Sequence, residues 1–361
     1  MARAHNFSAG PAVLPVPVLE ATSKAVVDYN GLGMSIMEMS HRSKEYDAVF
    51  KEAQQRVIKL MGLDSEEYDV LFLGGGASTQ FIMIPMNFLS NKANYVNTGA
   101  WSKKAIKEAK FVGDTNVVGT SEETTFDFIP KDLKFDADAD YVHVTSNNTI
   151  YGTRFTEFPD TGNIPLVSDM SSDIFSRRID FSKFNLIYAG AQKNIGPAGV
   201  TLIVINKKWY EEKGKDGVPT MLSYGTHLGK GSMFNTPPCL PVYVVGETLK
   251  WIENEGGLEA IEERNNMKAG LLYDFIDANN DFYKPHAKNK EDRSIMNVTW
   301  TMETPELEAK FVAEARDRYN MTNLKGHRSV GGCRASIYNA CPVDSVKLLV
   351  KFMEEFMKEN K

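Results

Sequence analysis

The sequence predicts an α/β protein: a large domain built on a mainly parallel sheet, followed by a smaller C-terminal α+β domain. Two observations predict it. Short apolar runs of strand length alternate with helix-periodic segments over the first two-thirds of the chain, the pattern of a mainly parallel sheet covered on both faces. The chain has 361 residues, and single cores stop growing at roughly 250–300 residues, so two domains are expected. We place them at 16–257 and 258–361, with the first fifteen residues free to pack on either.

The first helix signal begins near Ser43. Tyr46, Val49, Phe50, Ala53, Val57, Leu60 and Met61 recur at helical spacing, and Gly62 is a plausible stop. VLFL at 70–73 reads as a strand running into Gly74-Gly75-Gly76. QFIMIPMNFL reads as a helix carrying Pro85, YVN at 95–97 as a strand, and WSKKAIKEAKF as a surface-facing helix. YVHVTS (141–146), PLVSD (165–169), NLIYAG (185–190) and VTLIVI (200–205) are further strands. After Thr236-Pro237-Pro238 the texture turns helical through YVVGETLKWIENEGG and Leu258–Asn279. Strands SIMNVTW and CRASIY then alternate with helices ELEAKFVAEARDR and VDSVKLLVKFMEEFMKE.

Composition narrows the class. Apolar residues make up 42%, charged residues 24%, and the net charge is −6, an ordinary globular balance and a poor non-specific binder of nucleic acid or anionic membrane. Any anionic ligand must meet a local basic cluster. Three cysteines, Cys239, Cys333 and Cys341, have no metal-binding spacing and argue against a disulfide framework. The start, MARAHNFSAGP, has no apolar signal-peptide core, and the longest apolar runs are far short of a membrane span. A cytoplasmic setting is expected.

Four local signals carry chemistry. Lys193 sits just past a strand end, in AQKNIGPAG, between two apolar strands. Such a lysine is a Schiff-base nucleophile, because a partly apolar site promotes loss of its proton, or it is a solvent-facing hairpin lysine. Asp169 closes the strand PLVSD, where open α/β sheets place ligands. It either pairs with a ligand or caps the following segment, and Asp173 reads as a cap or surface residue. Gly74-Gly75-Gly76-Ala77-Ser78-Thr79, between strand and helix, is a phosphate cup or a tight turn. It lacks the lysine of the Walker pattern and the third glycine of the dinucleotide pattern. The basic pairs His41-Arg42 and His327-Arg328, with Arg334, lie in loops suited to binding carboxylates or phosphates; a lone pair of this kind is more often a surface ion pair. Arg154 and Arg177-Arg178 read as surface charges. Trp101 follows Thr98-Gly99-Ala100 after a strand end, where it can stack on a flat ring, and His227 and His286 show no partner pattern.

In this order the blocks NFSAGPA, NGLGMSIMEMSHRSKEY, LFLGGGAS, YAGAQKNIGPAG, GSMFNTPP and KGHRSVGGCRASIYNA resemble, over the whole chain, the phosphoserine aminotransferases, a family of class V, fold-type I pyridoxal-phosphate enzymes. The resemblance implies pyridoxal phosphate as cofactor, with Lys193 as its Schiff-base lysine and general acid/base, Asp169 on its pyridine nitrogen and Trp101 on its ring. It implies that Gly76, Ala77 and Gln192 hold the cofactor phosphate, and that Thr149 meets the region of the ring hydroxyl. Asn235 and Thr236 would reach the cofactor phosphate of a partner subunit, making a homodimer with shared active sites. His41, Arg42, His327 and Arg328 would bind the substrate phosphate or the glutamate side-chain carboxylate, and Arg334 the α-carboxylate. The implied reaction is ping-pong transfer of an amino group between glutamate and 3-phosphooxypyruvate, giving 2-oxoglutarate and phosphoserine. It would serve serine biosynthesis, with pyridoxine biosynthesis as a possible second role. Some members carry arginine directly after the three glycines; Ala77 and Ser78 stand in that loop here. Two rivals are a cysteine desulfurase on the same fold, for which Cys341 is the candidate nucleophile, and a non-catalytic phosphate-ligand binding protein.

Overall fold

The computed structural model describes residues 3–361. A seven-stranded sheet runs Tyr68–Leu73, Thr201–Asn206, Leu186–Gly190, Leu166–Asp169, Val142–Thr145, Lys92–Asn97, Asp114–Thr120 from edge to edge. Every neighbouring pair is parallel except those made by Thr201–Asn206, which is antiparallel to both its neighbours. The hairpin from Gly190 to Thr201 therefore carries Lys193 beyond a strand end, as the sequence predicts.

Alternate residues of these strands enter two cores, which is why the strands read as continuous apolar runs. Val142, Val144, Leu166, Ile187, Leu202 and Val204 pack with the helices Lys44–Met61 and Cys239–Asn254. Tyr141, Val167, Leu186, Tyr188 and Ile203 pack on the other face with Gly76–Phe88 and Ala100–Ala109. The helix Lys44–Met61 starts where the Ser43 side chain accepts from Tyr46 N at 3.2 Å and ends at Gly62 with φ +64°. Helix Ala100–Ala109 is not surface-facing throughout: Ser102, Ala105, Ile106 and Ala109 are buried.

A second core lies in the C-terminal part. The antiparallel strands Lys284–Pro285, Asn297–Thr301 and Cys333–Ser336 are covered by Gly257–Ala278, Pro305–Tyr319 and Val343–Asn360. Phe7 is wholly buried in this core, and His5–Asn6 pairs in parallel with Met321–Thr322. Helix Gly257–Ala278 joins the two cores, placing Ile261 in the first and Leu272 and Ile276 in the second.

Several elements go beyond the sequence reading, two of them of some length. Val16–Val27 is a helix that starts after Pro15 with Pro17 in its first turn, where the missing N–H costs nothing. Asp114–Thr120 is an edge strand whose residues are mostly exposed or half-buried, so it carries little apolar signal.

Three charged residues read as surface groups are not. Asp173 is buried and accepts from Ser146 Oγ; burial pushes its carboxyl up to about 6. Arg177 is buried and donates to the carbonyls of Phe155 and Thr156, and Arg154 is half-buried near Asp173. The three form one internal charge cluster, the arrangement by which a protein tolerates buried ions. Arg178 is the surface charge expected, pairing with Glu262 and Glu259.

Candidate active site

The sheet's strand ends, two glycine turns and the C-terminal sheet converge around Lys193. Its side chain is half-buried, and Nζ donates to Thr149 Oγ1 at 2.8 Å. Nζ also lies 5.2 Å from the centre of the Trp101 ring. Burial pulls the ammonium down to about 8; the Asp169 charge opposes that shift and Arg334 adds to it. No carboxylate lies within ion-pair distance of Nζ among the described residues, so the amine is not neutralised by direct pairing.

Asp169 is buried, and its register fixes what surrounds it. It pairs with Thr145 on one neighbouring strand and with Tyr188 on the other. Its Oδ1 accepts the backbone N–H of Ser171 at 2.9 Å. Burial raises the carboxyl, while Lys193, Ser171 and Tyr188 pull it back down. A buried carboxylate and a half-buried amine thus influence one another across the same space.

Trp101 heads the helix Ala100–Ala109, and its Nε1 is a buried donor without a partner. Arg334 Nη1 donates to Thr149 O at 3.3 Å, but its Nε is likewise buried and unpartnered. Unpaired buried donors are costly, so both mark places where a ligand can supply acceptors. At the glycine turn, Gly75 and Gly76 have φ of +89° and +68°, which side-chain-bearing residues rarely adopt. Helix Gly76–Phe88 begins without a side-chain cap, so its first N–H groups stay free. Gln192 lies half-buried beside Lys193, with its carbonyl accepting from Ala12 N at 2.9 Å. The segment 9–12 therefore passes over the site: a Cβ on Gly10 would sit 3.1 Å from Lys193 Cγ, and Tyr338 Oη donates to Ala9 O at 2.8 Å.

The structure draws Lys193, Asp169, Trp101, Thr149, Gln192 and Arg334 together. His327 borders the same space: burial and the charges of Arg334, Arg328 and Lys104 all hold its imidazolium down. Arg328 itself is exposed. Asn235 and Thr236 are exposed and make no hydrogen bond to the other site residues; they line a cavity of about 370 Å³ with Gly74, Thr79 and Gln80. His41 is half-buried with a buried, unpartnered Nε2, and Arg42 is exposed. Neither contacts Lys193 within one chain.

Residues that the sequence reading missed bolt this site to the C-terminal part. Asn194 Oδ1 accepts from Asn339 N at 2.9 Å, and Asn339 Oδ1 accepts from Asn265 at 2.8 Å. Asn147 donates to Asn297, which in turn donates to Ser336 and to Tyr338 Oη. The available signal was Asn297 and Ser336 inside otherwise largely apolar strands. Cys341 is buried before the helix Val343–Asn360, and burial pushes its thiol up to about 11. That is an inert structural thiol, unlike the exposed, electropositive setting of a reactive one.

The comparisons define the class. The class-V aminotransferase model matches residues 4–349, and the chain belongs to that aminotransferase family. Among its relatives are proteins named phosphoserine aminotransferase. One from Desulfatibacillum aliphaticivorans is 54% identical over 99% of both chains. The structure of another, from Bacillus circulans subsp. alkalophilus, superposes with a TM-score of 0.96 at 50% identity, covering 99% of each chain. A third, from Trichomonas vaginalis and solved with pyridoxal phosphate bound, gives a TM-score of 0.91 at 38% identity over 98% of this chain and all of that one.

Proposed function

We propose that the protein is a phosphoserine transaminase that holds pyridoxal phosphate on Lys193 and moves an amino group between glutamate and 3-phosphooxypyruvate. The observation that carries this reading is the Lys193 amine: half-buried, shifted down to about 8, bonded only to Thr149 and influenced by the buried Asp169. The unpartnered Trp101 and Arg334 donors and the uncapped glycine turn fit a planar, phosphorylated ligand.

When bound, the cofactor supplies an electron sink that stabilises negative charge on the substrate α-carbon, provided its ring nitrogen is protonated. The chain's residues do the rest. Asp169 would hold that nitrogen, Trp101 would pack on the ring, and Thr149 would meet the ring hydroxyl region. Gly76, Ala77 and Gln192 take the phosphate. Lys193 Nζ would be the base that carries the α-proton, a role typically worth about 10²–10⁴-fold. Arg334 takes the substrate α-carboxylate. His327 and Arg328, with His41 and Arg42, take the distal phosphate or carboxylate, so one basic pocket serves both substrates.

In this reading the enzyme is a homodimer in which Asn235 and Thr236 complete the partner's phosphate site. It works in the cytoplasm in serine biosynthesis, and the same pocket suits the phosphorylated substrate of pyridoxine biosynthesis. No helix among the described residues is long and apolar enough to cross a membrane. We also propose 16–257 as the cofactor-binding domain and 258–361, joined by 1–15, as the small domain.

The test is chemical. Borohydride reduction of the coloured protein followed by peptide mapping places the label on Lys193; a label on another lysine, or a colourless protein that takes up no pyridoxal phosphate, overturns the proposal.

A further inference from the structure

Behind Asp169, away from Lys193, lies a row of buried polar side chains that the proposed reaction does not use. Tyr188 is the Cα partner of Asp169 on the adjacent strand, and both lie on the face covered by the helices of Trp101 and the glycine turn. The Tyr188 hydroxyl and His143 Nε2 are 2.9 Å apart. His143 in turn stacks on Tyr95, with ring centres 5.0 Å apart and planes at 28°, and Tyr95 Oη meets Tyr141 Oη at 2.8 Å. All four side chains are essentially inaccessible to water.

The direction of the hydrogen bonds follows from what each group can supply. Burial drives the Tyr188 hydroxyl far above its usual range, so it keeps its proton, and burial drives His143 down to about 3, so its ring is neutral. A neutral ring has one N–H. On Nδ1 that proton would be a buried donor without a partner, since Nδ1 meets none. On Nε2 it donates to the Tyr188 oxygen, which leaves the Tyr188 proton free to turn toward Asp169, its cross-strand neighbour. This arrangement gives the ring N–H its partner. A Tyr188 hydroxyl turned toward this cross-strand neighbour favours the ionised form of Asp169, against the burial that favours the neutral one.

We infer that His143 and Tyr188 are positioning residues that hold Asp169 as a carboxylate and, through it, keep the ring nitrogen of the bound cofactor protonated. This rests on the pyridoxal-phosphate reading above. The other groups facing Asp169 are Lys193, Ser171 and Asp173, and those facing Tyr188 are the hydroxyls of Tyr95, Tyr141 and Tyr224.

The experiment loads wild-type and variant holoenzymes with pyridoxal phosphate carrying ¹⁵N in the ring and reads the nitrogen resonance across pH. Tyr188→Phe keeps the ring's packing and removes only the hydroxyl. Its nitrogen resonance moves toward the neutral-pyridine position, and kcat falls about tenfold with KM little changed, the size of one lost hydrogen bond to a charged group. His143→Gln, the second variant, shifts the resonance the same way by less. Tyr141→Phe, at the far end of the row and bonded to neither Tyr188 nor His143, leaves it in place. A folded Tyr188→Phe enzyme with the wild-type resonance and kcat overturns the inference. Wild-type protein that takes up no labelled cofactor overturns the proposed function instead.

Discussion

Lys193, half-buried, and Lys268, fully buried, are amines that differ in what they are free to do. Burial pulls both down to about 8. Lys268 Nζ donates to three carbonyls, those of Ile337, Tyr338 and Cys341, at 2.7–3.2 Å, so every N–H is taken and the amine is fixed as a bolt for the loop before the last helix. Among the described residues the Lys193 amine makes one hydrogen bond, to Thr149. A depressed pKa alone therefore does not mark a nucleophile; spare bonding capacity beside an open site does. The sign of the pH dependence follows. The neutral amine attacks an aldehyde, and it accumulates as pH rises toward the Lys193 pKa. Capture of pyridoxal phosphate by the apoprotein should accelerate about tenfold per pH unit below about pH 8 and level off above it, where an unshifted lysine would keep gaining to about 10.4. Stopped-flow absorbance at a series of pH values checks this, and Lys193→Ala should show no such phase. The sequence exposed Lys193 and Asp169 because each stands where an apolar strand stops. It hid Tyr188, His143 and Lys268, because a polar group inside an apolar run looks like a core residue until its partners, far along the chain, are known.

Elements turn such residues into a site by fixing backbone that side chains alone could not hold. The turn before helix Gly76–Phe88 shows how narrow the requirement is. Gly75 has φ +89°, and a Cβ there would come within 2.1 Å of Thr79 Oγ1, whose hydroxyl caps Gly75 O at 2.9 Å. Gly75→Ala must therefore strain the backbone, displace Thr79 and tilt the first N–H groups of the helix. We expect a stability loss of about 1–2 kcal/mol, read by urea unfolding, from the left-handed conformation. We also expect at least about tenfold weaker cofactor binding, read by spectral titration, from loss of aimed phosphate donors. Unchanged binding would mean the turn holds no phosphate. This element was legible, since three glycines between strand and helix are a clear signal. The helix Val16–Val27 was not, because Pro15 and Pro17 read as breakers when one of them is a starter. The edge strand Asp114–Thr120 was not legible either, because its outward residues face water and leave no alternating apolar pattern.

At the scale of the molecule, one chain leaves its surface and its site unfinished in the same way. Val27 is 78% exposed and Met37 60%, and Val16, Leu19, Leu32 and Met34 are exposed beside them in sequence. So many large apolar residues in one short stretch mark an interaction surface. His41 and Arg42 follow that stretch directly, while Asn235 and Thr236 project from another exposed loop near Phe234. None of these polar residues bonds to the Lys193 site within the chain, although the family resemblance gives them ligands there. The proposed two-fold dimer would resolve the mismatch, because an isologous interface lets each subunit lend the same residues to its partner's site. Complementation decides between lending and no role. Lys193→Ala and the double variant Asn235→Ala/Thr236→Ala should each be nearly inactive at limiting cofactor. Mixed after gentle dissociation and reassociation, half of the dimers are heterodimers. In each, one site has the intact lysine from the double variant and the intact asparagine and threonine from the lysine variant. Recovery should approach about a quarter of wild-type activity, the statistical share of complete sites in a symmetric dimer. If the residues act within their own chain, every site in the mixture lacks a part and the mixture stays inactive. If the two residues have no part in the site, the double variant is active before mixing.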